Sequence, residues 1–204
     1  VCHPVIFLLE TNDAEGCFSA GTGLLAATLG RLCRRYTATD IPDLVPLIRK
    51  NIKPKEMTIK LKAHAGAEAS EVAAEALDWT TIHSTPRSLW SKLRLLPELT
   101  SVETGCLDLD VVLVVDCIYH PNLISPLLAT LDYLGSMSVS SPEVVVVAEL
   151  RSEEVVREFV DGWVQMDGWT IWSLETGEEE KGLGPRYGTW LGRKCVPWDG
   201  YSHV

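Results

Sequence analysis

Three short runs of this chain, Val5–Leu9, Val111–Val115 and Val144–Ala148, contain apolar residues only. A strand with one wet face alternates apolar and polar residues, so a run without a polar position must be covered on both sides. Each is far shorter than the ~18 apolar residues of a membrane span. Stretches of helical periodicity separate them. Leu24–Arg35 carries Leu24, Leu25, Ala27, Thr28, Leu29 and Leu32 on adjoining faces, and Ser152–Met166 carries Val155, Val156, Phe159, Val160 and Trp163 on one side. Buried strands alternating with amphipathic helices predict an α/β fold with a parallel sheet between two helix layers. Two last strands, Trp169–Leu174 and Tyr187–Cys195, are separated only by the acidic loop Glu175–Gly184. That spacing predicts an antiparallel hairpin on one edge.

The chain has 204 residues, 46% of them apolar and 23% charged, which fits one globular domain over 1–204. The net charge of −10 opposes binding to a phosphate backbone, which needs a basic face. The same charge attracts a lysine-bearing protein segment. The expectation is therefore a protein partner, no nucleic acid, no membrane and a monomer. None of the six cysteines forms a C-x-x-C pair. Free thiols in a reducing compartment follow, and the cytoplasm is the expected location, with the nucleus also open. No metal-ligand spacing, nucleophile elbow or phosphate-loop lysine is present. The chain opens on Val1 rather than Met, so its N-terminus is expected to be incomplete.

Between the apolar runs, Tyr36–Asp40 reads as a strand and Pro42–Asn51 as a helix. Met57–Leu61 alternates like a strand, Ala63–Glu75 is alanine-rich and weakly helical, and Ala76–Trp79 ends a short strand. Residues 80–106 read as an insertion with one helix, and Asn122–Gly135 as a helix. Ligands of open α/β sheets bind beyond the carboxyl ends of the strands. Four places satisfy that rule: the turn Ser19–Gly23, Asp40, Asp78-Trp79, and Asp116-Cys117-Ile118-Tyr119. Glycines in such a turn let backbone approach a ligand. Asp40 follows Gly23 by slightly less than the ~20 residues expected of a ribose-binding acid. Asp40 also reads as a cap for the helix after it, Trp79 as core, Tyr119 as packing and His120 as a surface or capped residue.

Together, Ala20-Gly21-Thr22-Gly23-Leu24, Thr39-Asp40, Asn51-Ile52, Leu77-Asp78-Trp79 and Asp116-Cys117-Ile118-Tyr119 resemble the class I, seven-strand S-adenosylmethionine-dependent methyltransferases. The Asp-x-x-Tyr after the fourth strand resembles their protein-lysine methyltransferase branch. The resemblance runs from about Ser19 to Cys195. It implies a Rossmann-like, seven-stranded, mostly parallel sheet with the antiparallel edge hairpin, and S-adenosyl-L-methionine as cofactor. It further implies that Ser19, Ala20, Gly21 and Gly23 lie against the methionine part of the cofactor. Asp40 would hold the ribose, Trp79 would flank the adenine and Val115 would line the floor. Asp116 and Tyr119 would face the target amine. The family turn reads Glu-Leu-Gly-x-Gly-x-Gly, whereas Cys17–Gly23 lacks the acid and the first glycine. One reading moves the strand end to Leu8-Leu9-Glu10 and makes 11–17 an insert, either a real loop or a gene-model artefact.

The activity expected is methyl transfer to a lysine of a cytosolic protein such as a translation factor, ribosomal protein or chaperone. Two rivals share part of this pattern: a nicotinamide oxidoreductase, and a methyltransferase-like scaffold that binds a partner without catalysis.

Overall fold

The computed structural model describes residues 5–10, 24–30, 33–52, 71–174 and 185–195. Seven strands form one sheet: β1 (Val5–Glu10), β2 (Arg35–Asp40), β3 (Glu71–Ala76), β4 (Val111–Val115), β5 (Glu143–Glu149), β6 (Trp169–Ser173) and β7 (Tyr187–Lys194). Their order is β3-β2-β1-β4-β5-β7-β6. The α-helices are α1 (Leu24–Leu29), α2 (Val45–Ile52), α3 (Trp79–Ser84), α4 (Ile124–Met137) and α5 (Glu153–Val164).

The expectation of a mostly parallel sheet is corrected: the sheet is mixed. β2 pairs with β3, and β4 with β5, in parallel. β1 runs antiparallel to both of its neighbours, with Ile6 opposite Thr39 on one side and Val114 on the other. β7 lies antiparallel between β5 and β6, which makes the edge hairpin. An all-apolar run needs cover on both faces whichever way it points, so composition gives Val5–Leu9 no direction. The reversal of β1 leaves β2, β3, β4 and β5 pointing one way, because passing through β1 inverts direction twice. Their carboxyl ends therefore share one edge. Glu10 lies opposite Arg35, the first residue of β2, and so sits at the other edge. This removes Glu10 as the acid of a carboxyl-edge site.

The pleat sorts β4 between two cores. Val112 and Val114 enter a cluster with Leu127, Leu131 and Leu134 of α4 and Phe159 and Trp163 of α5. Leu113 enters a second cluster with Leu25 and Leu29 of α1, Tyr36 and Ala38 of β2, Val45 and Ile48 of α2, and Ala74 of β3. Period-two alternation is the physical cause. Each large apolar side chain so buried contributes roughly 1.5–3 kcal/mol. At the hairpin, β7 passes directly beneath Trp163. A Cβ at Gly192 would stand 2.1 Å from the indole ring, so only glycine fits that close approach.

Several element bounds shift from the expectation. Glu71–Ala76 is a strand, not the end of an alanine-rich helix. Its ladder to β2 and the burial of Ala74 override alanine's helical preference. Residues 57–61 lie outside the described residues. α1 is shorter than Leu24–Arg35, and Arg35 already belongs to β2. α2 begins at Val45, after a turn at 42–44. Residues 80–106 hold most of α3 and two 3-10 turns, Arg87–Lys92 and Pro97–Leu99. Trp90, Leu96 and Leu99 bury this segment against the α4 side, where Trp90 meets Tyr133 edge-on at 5.6 Å.

One carboxylate pins three elements together. Asp132 of α4 pairs with Lys194 of β7 and with Arg87 at 2.6 Å, and accepts from the indole N–H of Trp169 on β6 at 3.2 Å. Cys33, Cys106, Cys117 and Cys195 are free thiols; Cys2 and Cys17 lie outside the described residues. Among the described residues, no helix is long and apolar enough to cross a membrane, and no cluster of His, Cys, Asp and Glu suits a metal.

Candidate active site

The common carboxyl edge collects the acids singled out by sequence. Asp40 closes β2 and is 5% exposed. Its Oδ1 accepts from the N–H of Ile41 at 2.7 Å, and its carbonyl accepts from the N–H of Leu77 at 2.9 Å. That second bond ties the end of β2 to the segment leading into Asp78 and Trp79. Asp40 has the strand parity of Tyr36 and Ala38, so it is directed towards the α1 and α2 side. It does not stand at the N-cap of α2, which starts only at Val45.

Asp78 is consumed by local structure. It caps α3, taking the N–H and hydroxyl of Thr80 at 2.9 and 2.7 Å and the hydroxyl of Thr81 at 2.9 Å. Burial alone would raise this carboxyl, but the hydrogen bonds from Thr80 and Thr81 outweigh it and hold the group below the usual range. Trp79 is not a strand end. It is the first residue of α3 and turns back into the larger core, where it is 7% exposed.

Val115 ends β4 and packs against the smaller core. Asp116 then adopts a left-handed backbone, with φ +53°, one of two non-glycine residues of positive φ among those described. Its N–H donates to the carbonyl of Val147 on β5 at 2.8 Å, which fixes the reversal. Asp and Asn tolerate that region better than other side chains. Its Oδ2 accepts from Nη2 of Arg151 at 2.7 Å. The same guanidinium donates from Nε to Oε2 of Glu149, the last residue of β5, at 2.7 Å. Tyr119 is half-buried in the loop that follows Asp116. His120 is exposed and caps the 3-10 turn Pro121–Leu123, its Nδ1 accepting from the N–H of Asn122 at 3.2 Å.

β2 and β4 are separated by β1 alone, so Asp40 and Asp116 stand about two strand spacings, ~10 Å, apart along the edge. The turn residues Ser19, Ala20, Gly21 and Gly23 lie outside the described residues. Two clefts formed by described residues open elsewhere. One of about 290 Å³ is lined by Arg34, Arg35, Glu71 and Glu98 at the amino ends of β2 and β3. One of about 590 Å³ lies between residues 91–107 and Tyr133 and Met137 of α4. Neither is lined by Asp40, Trp79 or Asp116.

Glu149 and Arg151 were not singled out by sequence. The signal was available, because Glu149 ends an apolar run as Asp116 does. Its pairing with Arg151 and the link to Asp116 depend on β4 and β5 being neighbours.

Against known families, residues 18–162, well over half the chain, match the model described as lysine methyltransferase. The chain belongs to that family. It is a class I methyltransferase, and its cofactor is S-adenosylmethionine. The nicotinamide oxidoreductase reading falls with this finding. Among curated proteins nothing matches. Among solved structures, the N-methyltransferase NodS from Bradyrhizobium japonicum aligns over 85% of this chain and 80% of its own, at 12% identity and a TM-score of 0.43.

The residues of this methyltransferase fit the cofactor by the chemistry of their donors. A buried acid at a strand end suits a ribose diol, whereas Trp79, turned into the larger core, presents no face beside it to a purine. An edge bearing Asp40, Asp78, Asp116 and Glu149 is rich in carboxylates, which suits a sulfonium cation.

Proposed function

We propose that this methyltransferase transfers a methyl group to the side-chain amine of a lysine in a cytosolic protein, such as a translation factor, a ribosomal protein or a chaperone. The observation that carries the reading is the placement of Asp116 and Tyr119. The Asp-x-x-Tyr segment begins where β4 ends, on the edge that also bears Asp40. The family match supports a protein substrate. The net charge of −10 favours encounter with a basic one.

S-adenosylmethionine, when bound, supplies an electrophilic methyl group on a sulfonium. Asp40 would accept hydrogen bonds from the ribose hydroxyls and Val115 would form part of the floor, while Trp79, held in the larger core, is left out of the adenine wall. Ser19, Ala20, Gly21 and Gly23 take the methionine part. Asp116 accepts a hydrogen bond from the target amine and aims its lone pair. Tyr119 walls the channel and excludes water. The amine must arrive neutral although a free lysine titrates near 10.4. Desolvation against the apolar wall lowers that value, and the proton leaves to water beforehand. Held by Asp116 and Tyr119, the amine lone pair would face the methyl carbon that the bound cofactor supplies. Alignment at about 3–3.5 Å is the main catalytic contribution asked of the protein.

The altered turn at Cys17–Gly23 favours one other reading, a scaffold that has lost the cofactor. Calorimetry with S-adenosylmethionine separates the two. Incubation of the protein with labelled cofactor and a cell extract then identifies the acceptor. Heat of binding together with label on a protein, removed when its lysines are blocked, is expected. Absence of heat supports the scaffold; label on another kind of molecule overturns the lysine assignment.

A further inference from the structure

We propose that Arg151 is a positioning residue that offsets the charge of Asp116 and Glu149, so that the target amine is held but not stabilised as an ammonium ion. The inference rests on the lysine reading above and deepens it.

The guanidinium bridges two carboxylates that end neighbouring parallel strands, through Nη2 to Asp116 and Nε to Glu149. Its own position is built in. The N–H of Arg151 donates to the carbonyl of Glu149 at 2.8 Å, and the N–H of Leu150 donates to the carbonyl of Arg186 at 2.7 Å, which ties the segment to the start of β7. Oδ2 of Asp116 is thereby engaged, and Oδ1 is the oxygen offered to an amine.

The chemistry sets a conflict that this bridge resolves. A carboxylate beside an amine stabilises its protonated form, and two carboxylates do so more strongly. A protonated amine has no lone pair to attack with. With Arg151 in place, the three groups carry one net negative charge instead of two. Among the described residues, the other titratable groups close in sequence to these strand ends are Cys117, Tyr119 and His120 after β4, Arg186 and Tyr187 at the start of β7, and Glu153 and Glu154 in the first turn of α5. Glu153 is itself paired with Arg157.

The test compares wild type with Arg151→Gln, Arg151→Lys and Glu149→Gln. The probe is the peptide that binds best in an array of lysine-centred peptides. It is made with trimethyllysine, a permanent cation, and with norleucine, its neutral counterpart, at the centre. Affinity is read by fluorescence anisotropy. Arg151→Gln is expected to raise the preference for the cation by roughly three- to tenfold, and Glu149→Gln to lower it by a similar factor. Arg151→Lys should restore it. On the same peptide bearing lysine, the acid limb of the kcat–pH profile should move up by about half to one unit in Arg151→Gln and down in Glu149→Gln. Opposite movements cannot come from partial misfolding, which lowers a profile without displacing its limb. Equal preference in all four proteins overturns the proposal. A shifted preference with no methyl transfer by wild type leaves the charge balance standing and overturns the lysine methyltransferase reading instead.

Discussion

Nη2 of Arg151 donates to Oδ2 of Asp116 at 2.7 Å, linking the residues that follow two neighbouring parallel strands. The carboxylate is thus held from two directions, by its own left-handed backbone and by the guanidinium. A side chain fixed in this way keeps one acceptor aimed without further ordering when an amine arrives. Arg151 is 45% exposed, so this pair is a device of orientation more than of stability.

Asp116→Asn should separate binding from chemistry. Asparagine tolerates the left-handed backbone, so the fold is expected to stand. Turnover should fall by about 100-fold or more, as for loss of a group that orients the reacting atom. Affinity for S-adenosylmethionine, read by calorimetry, should stay within about twofold. Undiminished turnover would take Asp116 out of the mechanism.

Asp40→Ala should give the converse. Loss of charged hydrogen bonds to the ribose is expected to weaken cofactor binding by roughly 1.5–3 kcal/mol. The Ile41 N–H also loses its acceptor, so urea denaturation should show a smaller cost of about 1 kcal/mol. Unchanged cofactor affinity alongside that stability loss would mean Asp40 is only a cap.

Glu75 makes stability depend on pH. It is 6% exposed on β3, and neither carboxyl oxygen has a hydrogen-bond partner among the described residues. Burial pushes its carboxyl up and the charge of Glu98 adds to this, while Arg49 and Arg35 pull against it. A folded-state value above the unfolded one means the stability present at low pH is lost as pH rises from the unfolded value through the folded one. Glu75→Gln should therefore stabilise the protein at pH 7 by roughly 1–2 kcal/mol and leave it unchanged below about pH 4. Thermal melts at both pH values check this, and equal effects at the two would refute it.

Asp132 should be the costliest polar position to alter. Its side chain is 2% exposed and that of Lys194 is 15% exposed. Asp132→Asn leaves the Lys194 ammonium buried without a carboxylate, a change expected to cost roughly 3–5 kcal/mol. Arg87 adds little, being 66% exposed. Since α4, β6 and β7 meet here, hydrogen exchange should accelerate first in the edge hairpin. A loss under 1 kcal/mol in denaturant would show that the hairpin holds without this carboxylate.

Much of the fold was legible because burial is written in local pattern. The apolar runs at Val111–Val115 and Val144–Ala148 are strands in the structure, and Ser152–Met166 contains α5 with Phe159 and Trp163 inward. Asp40 and Asp116 were readable as strand-end acids for the same reason. Ala63–Glu75 misled because alanine's helical preference is weak beside a ladder to β2. Trp79 misled because an aromatic after Asp78 looks the same whether a strand ends or a helix begins.

By itself, the sequence determined which residues must be dry, which strand ends carry acids, and which motifs place the chain in its family. Those are properties of single segments and of their order. Only the tertiary structure decided that β1 runs against its neighbours, that Glu10 sits on the far edge, and that Arg151 bridges Asp116 and Glu149. Strand direction and cross-strand pairing depend on which segments become neighbours, and an apolar run exposes the same pattern read either way.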